Sequence, residues 1–177
     1  MNLKLILTSG NVVDCINNNL EYLLTIIPEL KFMLGFLHKH PHHHLDVWEH
    51  TLLALKLSEN DFEIRLTLLL HDIGKPFSYQ EGKIRHFKNH ADVSSKMANN
   101  ILKRLDFDDK FIKEVCYLIK NHDIPITIND ILKNKELVFK RYKVQYCDAL
   151  AHHPEKLEKR IEYLNDIREK LNDVLWM

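Results

Sequence analysis

Histidine is the outlier of this sequence, with 12 among 177 residues. Four of them, together with two aspartates, stand where an apolar helix face is expected. Residues three or four apart share a helical face. By that spacing His50 sits with Val47, Leu53, Ala54 and Leu57, and His71 follows Ile64, Thr67 and Leu68 with Asp72 beside it. His90 lines up with Val93, Met97 and Ile101, His122 with Val115, Leu118 and Ile119, and Asp148 with Val144 and Ala151. A single inward histidine reads as a neutral, hydrogen-bonded core residue. Six such groups on five separate helices each need a buried partner, and an unpaired buried carboxylate costs several kcal/mol. Convergence on a divalent metal, as one ion or two, meets all these needs at once. Imidazole with carboxylate suits Mn, Fe, Co, Ni or Zn rather than Ca, and no thiol is placed to bias the choice.

The elements that must position these groups read as helices. Hydrophobic residues make up 45% and charged ones 28%, with only 4 Gly and 5 Pro, a balance that gives a real core and favours long helices over many tight turns. The predicted fold class is all-α, a bundle of six to eight helices in a single domain over 1–177. An N-terminal helix is expected over 16–33, stopped near Pro28, and a C-terminal one over 154–174, opened by Pro154. Asp61 is the expected cap of a nearly all-apolar central helix from Ile64 to His71, ended by Gly74 and Pro76. Asp108 caps another, and one more runs from Glu136 to His152. The stretch Phe77 to Phe87 alternates around Glu81-Gly82 and could form a short hairpin.

The charge balance, 25 Lys plus Arg against 25 Asp plus Glu, gives no overall field to recruit nucleic acid or an anionic membrane, so any phosphate must be gripped locally. Three cysteines without a CxxC pair indicate neither a disulfide framework nor a zinc knuckle. No run approaches a membrane span, and a cytoplasmic location is expected. Lys133, Lys135, Lys140, Arg141 and Lys143 read as a solvated helix face. His42, His43 and His44 read as loop residues, and His152 and His153 as a helix end without function. Gly74-Lys75-Pro76 lacks the upstream glycine and hydroxyl residue of a P-loop, and neither GxSxG nor HExxH occurs.

His50, the doublet His71-Asp72 and Asp148 resemble the H…HD…D pattern of the HD superfamily of metal-dependent phosphohydrolases. The surrounding strings are similar too: Leu45-Asp46-Val47-Trp48-Glu49-His50-Thr51, Leu69-Leu70-His71-Asp72-Ile73-Gly74-Lys75-Pro76, and His86-Phe87-Lys88-Asn89-His90. They look most like the HD domain attached to bacterial tRNA nucleotidyltransferases, and the resemblance spans 38–154. It implies an HD helical bundle in which His50, His71, Asp72 and Asp148 hold one metal. In dinuclear members, histidines placed like His90 and His122 bind a second, and the doublet aspartate bridges. Nothing here resembles the paired catalytic aspartates of the nucleotidyltransferase domain, so nucleotide addition is not expected.

The expected activity is hydrolysis of a phosphate ester by metal-bound hydroxide, since a metal lowers the pKa of bound water from 15.7 towards roughly 7. Asp72 and Lys75 are the expected catalytic residues. Lys75, in a chain-reversing turn three residues after Asp72, would add a cation to the phosphate oxygens, with Arg85 and His86 as further substrate contacts. The expected partner is a small-molecule phosphate ester of the nucleotide class; the oligomeric state is open. Two rivals stand beside this reading: a di-iron HD-type oxygenase, and a helical module that senses a nucleotide without cleaving it.

Overall fold

The structure, a computed structural model, describes residues 2–40 and 44–173. His42, His43 and the apolar terminus Leu175-Trp176-Met177 lie outside the described residues. The chain forms helices α1 (Leu3–Leu7), α2 (Val12–Asn18), α3 (Leu20–Ile26), α4 (Val47–Leu57), α5 (Phe62–Leu70), α6 (His90–Arg104), α7 (Asp109–Lys120), α8 (Ile128–Lys133), α9 (Lys135–Leu150) and α10 (Glu158–Asp173). Short 3-10 turns occupy Pro28–Phe32, Lys75–Phe77 and Pro154–Lys156. The all-helical bundle is as expected from the sequence, and no described helix is long and apolar enough to cross a membrane.

Side-chain caps set where the central helices begin. Asp46 accepts from Glu49 N at 2.8 Å while Glu49 accepts from Asp46 N at 3.1 Å, a capping box that starts α4 four residues before His50. Asp61 caps α5 and Asp108 caps α7, each through the backbone N–H three residues on. Every residue of α5 from Ile64 to Leu70 is buried. Its position at the centre of the molecule follows from a sequence apolar on nearly all sides.

Among the described residues ten helices stand where six to eight are expected, because the N-terminal region is broken into short pieces. The predicted helix over 16–33 is split by Asn19, whose side chain donates to Cys15 O at 2.7 Å and competes with the helical ladder. It is broken again at Ile27, which precedes Pro28 and adopts φ −131°, ψ 71°. The expected hairpin at 77–87 reduces to a 3-10 turn and one antiparallel bridge between Gln80 and His86; no strand occurs among the described residues. Beyond that bridge Arg85 N donates to Lys39 O instead, so the two arms never extend a ladder.

The buried apolar side chains form a main cluster over α1 to α7 and a second one, from Ile126 to Leu171, over α8, α9 and α10. Helix α9 contributes Val144 and Cys147 to the first and Val138, Tyr142 and Ala149 to the second. Asp148 thus sits on the helix that both clusters hold. The expected solvated basic face of α9 is corrected at Arg141. That residue is 2% exposed and bonds the carbonyls of Asn121, Ile124 and Pro125 along this break in the chain, the first two of which also accept from Gln145 Nε2 at 3.0 and 2.7 Å. Lys140 and Lys143 pair with acids instead, Lys140 with Glu63 and Glu114 and Lys143 with Glu59. Arg141→Leu should lower unfolding free energy by about 2 kcal/mol in urea melts, because it takes the Arg141 donor from the Pro125 carbonyl and leaves those of Asn121 and Ile124 with Gln145 alone.

Gly74 follows the His71-Asp72 doublet and lies against the start of α6. A Cβ there would stand 2.5 Å from Ser94 N and 2.9 Å from His90 O, both backbone atoms, while Gly74 N donates to Ser94 Oγ at 2.9 Å. The doublet and His90 are brought together by this approach. Gly74→Ala should therefore destabilise the protein by about 3 kcal/mol or more, read as a fall in thermal midpoint, through overpacking that backbone cannot yield to.

Candidate metal centre

The doublet leaves the C-terminus of α5 and points into a space walled by α4, α6, α7 and α9. Asp72 is 0% exposed and occupies its middle. Its Oδ2 lies 3.2 Å from His71 Nε2 and 3.7 Å from His50 Nε2; its Oδ1 lies 3.4 Å from His90 Nε2 and 3.9 Å from His122 Nε2. Asp148 approaches from α9, its Oδ1 standing 3.0 Å from His50 Nε2 and 3.6 Å from His71 Nε2. One carboxylate therefore faces both histidine pairs, and a second closes one side.

What makes these histidines ligand-like is the other ring nitrogen. Nδ1 of His50 meets Ala151 O at 3.1 Å, Nδ1 of His71 meets Leu68 O at 2.6 Å, Nδ1 of His90 meets Phe87 O at 2.9 Å and Nδ1 of His122 meets Ile119 O at 2.7 Å. A carbonyl only accepts, so each Nδ1 carries a proton and Nε2 is the atom turned to the centre, with a lone pair to offer once the ring is neutral. That brace is the usual outer support of a metal-bound histidine. His90 Nε2 and His122 Nε2 stand 3.2 Å apart, close enough to share a proton or face one cation.

Electrostatics agree. Burial alone would discharge His71, but Asp72 and Asp148 beside it outweigh burial and raise its pKa to about 10. Burial likewise opposes the charge on Asp72 and Asp148; His71 and Lys75 hold the first well below the usual carboxylate range, and His152, His50, His71 and Arg160 the second. Burial and His71 push His122 down to about 4, which keeps it a neutral donor. Both oxygens of Asp72 and Nε2 of His71 are buried without a hydrogen-bond partner. Ligand atoms of His50, His71 and Asp72 lie within 4.8 Å of one another, as do those of Asp72, His90 and His122. Carbonyl-braced imidazoles, buried carboxylates and orphaned inward atoms fit a divalent transition metal, whose charge would replace the proton that the two carboxylates hold on His71.

The HD domain family model matches residues 42–170. The chain belongs to the HD domain family. This family lies in the superfamily of metal-dependent phosphohydrolases, whose HD domains bind divalent metals. Two curated relatives are a CC-adding tRNA nucleotidyltransferase of Thermus thermophilus and an A-adding tRNA nucleotidyltransferase of Deinococcus radiodurans. The first is 37% identical over 105 residues, 54% of this chain and 24% of the relative. The second is 33% identical over 113 residues, 59% of this chain and 26% of the relative. The chain thus spans about a quarter of the length of each.

Beside the six HD-domain side chains opens a cavity of about 640 Å³ whose lining includes His90, His122 and Asp148 of the six, with Lys75, His152 and Arg160. Lys75 Nζ lies 2.7 Å from Asp72 Oδ2. His86 is exposed at the rim, edge-on to His40. Arg85 lines the cavity too, but its guanidinium is committed elsewhere: Nε donates to Glu81 at 2.8 Å, Nη1 to Leu37 O at 2.7 Å, and the group lies over the rings of Phe36 and Tyr79.

Three residues escaped sequence reasoning. His38, buried at the edge of the centre, accepts from Lys75 Nζ at 3.0 Å; burial and the Lys75 ammonium push its pKa down to about 2. Arg160 on α10 donates to Asp148 Oδ2 at 2.8 Å. His152, expected to be a functionless helix end, shares a ligand-spaced group with His50 and Asp148 and donates Nδ1 to Asp148 O. Its four-residue offset from Asp148 was the available signal. His44, expected in a loop, packs edge-on against His153.

Proposed function

We propose that this HD-domain protein is a metal-dependent phosphohydrolase acting on a nucleotide or related phosphate ester. The observation that carries this is the set of four carbonyl-braced histidines aimed at Asp72 and Asp148 beside an open cavity that holds an ammonium. His50, His71, Asp72 and Asp148 would hold one cation, and His90 and His122, sharing Asp72, a second. A divalent ion there supplies Lewis acidity and makes water acidic enough to ionise near neutral pH.

The chain's own residues do the rest. Asp72 and Asp148 orient the imidazoles and bring the negative charge that retains a cation. Lys75 offers its ammonium to the phosphate oxygens as charge gathers on them, in a site where burial strengthens the interaction. Arg160, at the far side of Asp148, keeps that carboxylate turned inward and adds a second cation to the cavity wall. His86 at the rim is the outer contact for the leaving portion of the substrate. A nucleotide class is supported by the two relatives, both tRNA nucleotidyltransferases.

A panel of 2′,3′-cyclic nucleotides, 2′-phosphates and nucleoside monophosphates, with an aryl phosphodiester and monoester, tests the reading across Mn, Co, Ni, Mg and Zn. Release of phosphate or ring-opened nucleotide with at least one metal is expected. Silence across the panel, with oxygen uptake and a mixed-valence iron signal, would replace it with the oxygenase reading. Nucleotide-dependent thermal stabilisation without product would replace it with the sensing module.

A further inference from the structure

We infer, resting on the reading of these six residues as a metal centre, that His38 is a positioning residue that holds the Lys75 ammonium off the hydrogen-bonding line of Asp72, leaving that carboxylate to the cation and the ammonium to the substrate.

The geometry begins with competition. Lys75 follows Asp72 in a tight turn, Lys75 N donating to Asp72 O at 3.0 Å, which keeps both side chains on one side of the chain. Lys75 Nζ lies 2.7 Å from Asp72 Oδ2, yet the pair falls outside hydrogen-bond geometry, and both Asp72 oxygens lack such a partner. A cation and an ammonium want the same buried carboxylate oxygen. Something must keep the built-in ammonium from taking it.

His38 is the group placed to do so. It is 1% exposed, and its Nδ1 meets Leu45 O at 2.9 Å, which fixes the proton on Nδ1 and leaves Nε2 as an acceptor. That Nε2 takes a hydrogen from Lys75 Nζ at 3.0 Å. The ring of Phe87 backs both partners, its centroid 5.6 Å from Lys75 Nζ and 5.7 Å from the His38 centroid. With one ammonium hydrogen held by His38, the amine keeps its 2.7 Å ion-pair distance to Asp72 Oδ2 but is turned off the line of a hydrogen bond to it, and it still lines the cavity. Removing the His38 acceptor frees a donor whose nearest carboxylate oxygen is Asp72 Oδ2.

Two substitutions separate this role from a purely structural one. His38→Asn keeps a donor for Leu45 O but places no acceptor within reach of Lys75; His38→Gln restores an acceptor there. Isothermal titration of the metal-free protein with Mn²⁺, and competition with a coloured chelator for Zn²⁺, should show His38→Asn binding about tenfold more weakly, in the range typical of an outer partner of a metal site. His38→Gln should stay close to wild type. In a Lys75→Met background, His38→Asn should cost nothing further, the non-additivity expected when one residue acts through the other. Unchanged affinity in His38→Asn, or an equal loss with and without Lys75, would overturn the role of His38 while leaving the metal centre intact. A wild-type protein that takes up neither ion would overturn both. Independently of how any variant folds, ¹⁵N-lysine labelling of the metal-free wild type should reveal a slowly exchanging Lys75 ammonium, identified by its loss in Lys75→Met. Its absence would equally contradict the hydrogen bond to His38.

Discussion

Asp72→Asn is expected to lower metal affinity by well over 100-fold and to reduce hydrolysis by about 10³-fold or more. Loss of an outer partner alone typically costs 10- to 100-fold in affinity, and removal of a single charge-stabilising donor costs about 10²- to 10³-fold in rate. Asp72 does more than either. Its two oxygens face different histidine pairs, Oδ2 towards His50 and His71 and Oδ1 towards His90 and His122, so one substitution strips both halves of the centre. Asparagine preserves shape but offers one oxygen and no charge. It also leaves the Lys75 ammonium buried beside a neutral amide, so the variant should lose metal-dependent thermal stabilisation entirely. Elemental analysis of the purified protein and thermal melts with and without added Mn²⁺ or Zn²⁺ read this directly. A variant that retains metal and turnover would remove Asp72 from the centre.

Lys75→Met is the second large effect, and it should dissociate metal from chemistry. The side chain is 5% exposed, stands at the inner end of the cavity and is not among the six candidate ligands, so bound metal should equal or exceed that of wild type. Methionine nearly conserves volume, and the packing cost should stay below about 1.5 kcal/mol. Turnover should fall about 10²- to 10³-fold if the ammonium meets charge that develops only in the transition state. The loss should fall on kcat and kcat/KM together rather than on KM alone. Steady-state kinetics on an aryl phosphodiester, beside metal analysis of the same sample, gives the answer. Loss of metal with unchanged turnover per bound ion would make Lys75 a structural counter-charge to Asp72 and nothing more.

Helical phase explains what was readable from the chain. His50, His90, His122 and Asp148 lie at three- and four-residue offsets from residues that are plainly core, and that periodicity survives in α4, α6, α7 and α9 because each buries one face. The structure gathers these side chains with the His71-Asp72 doublet, in overlapping ligand-spaced groups that share His50 and Asp72. Where phase carries no information, the reading stopped. His38 lies in an irregular segment, 37 residues from the lysine it meets. Arg160 reaches Asp148 across a break at Pro154, and nothing in the spacing of α10 marks it. Arg141 sits in a run of charges that looks solvated, and only the carbonyls of the 121–125 break, brought in by tertiary packing, account for its burial. Arg85 shows the converse: a cation near the doublet in sequence whose donors are taken by Glu81 and Leu37. The N-terminal helix was over-extended because Asn19 and the Ile27-Pro28 junction act through local backbone chemistry that an apolar period does not register.

The shared cation itself is tested most directly by crystals grown with Mn²⁺ or Zn²⁺ and measured at the metal's absorption edge. The expected result is an anomalous peak among Nε2 of His50, Nε2 of His71 and the carboxylates of Asp72 and Asp148, at roughly 2.0 to 2.2 Å from its ligands for zinc. A second peak between Asp72, His90 and His122 is expected at higher metal concentration. A map with no anomalous signal at this point, in crystals soaked at millimolar metal, would contradict it.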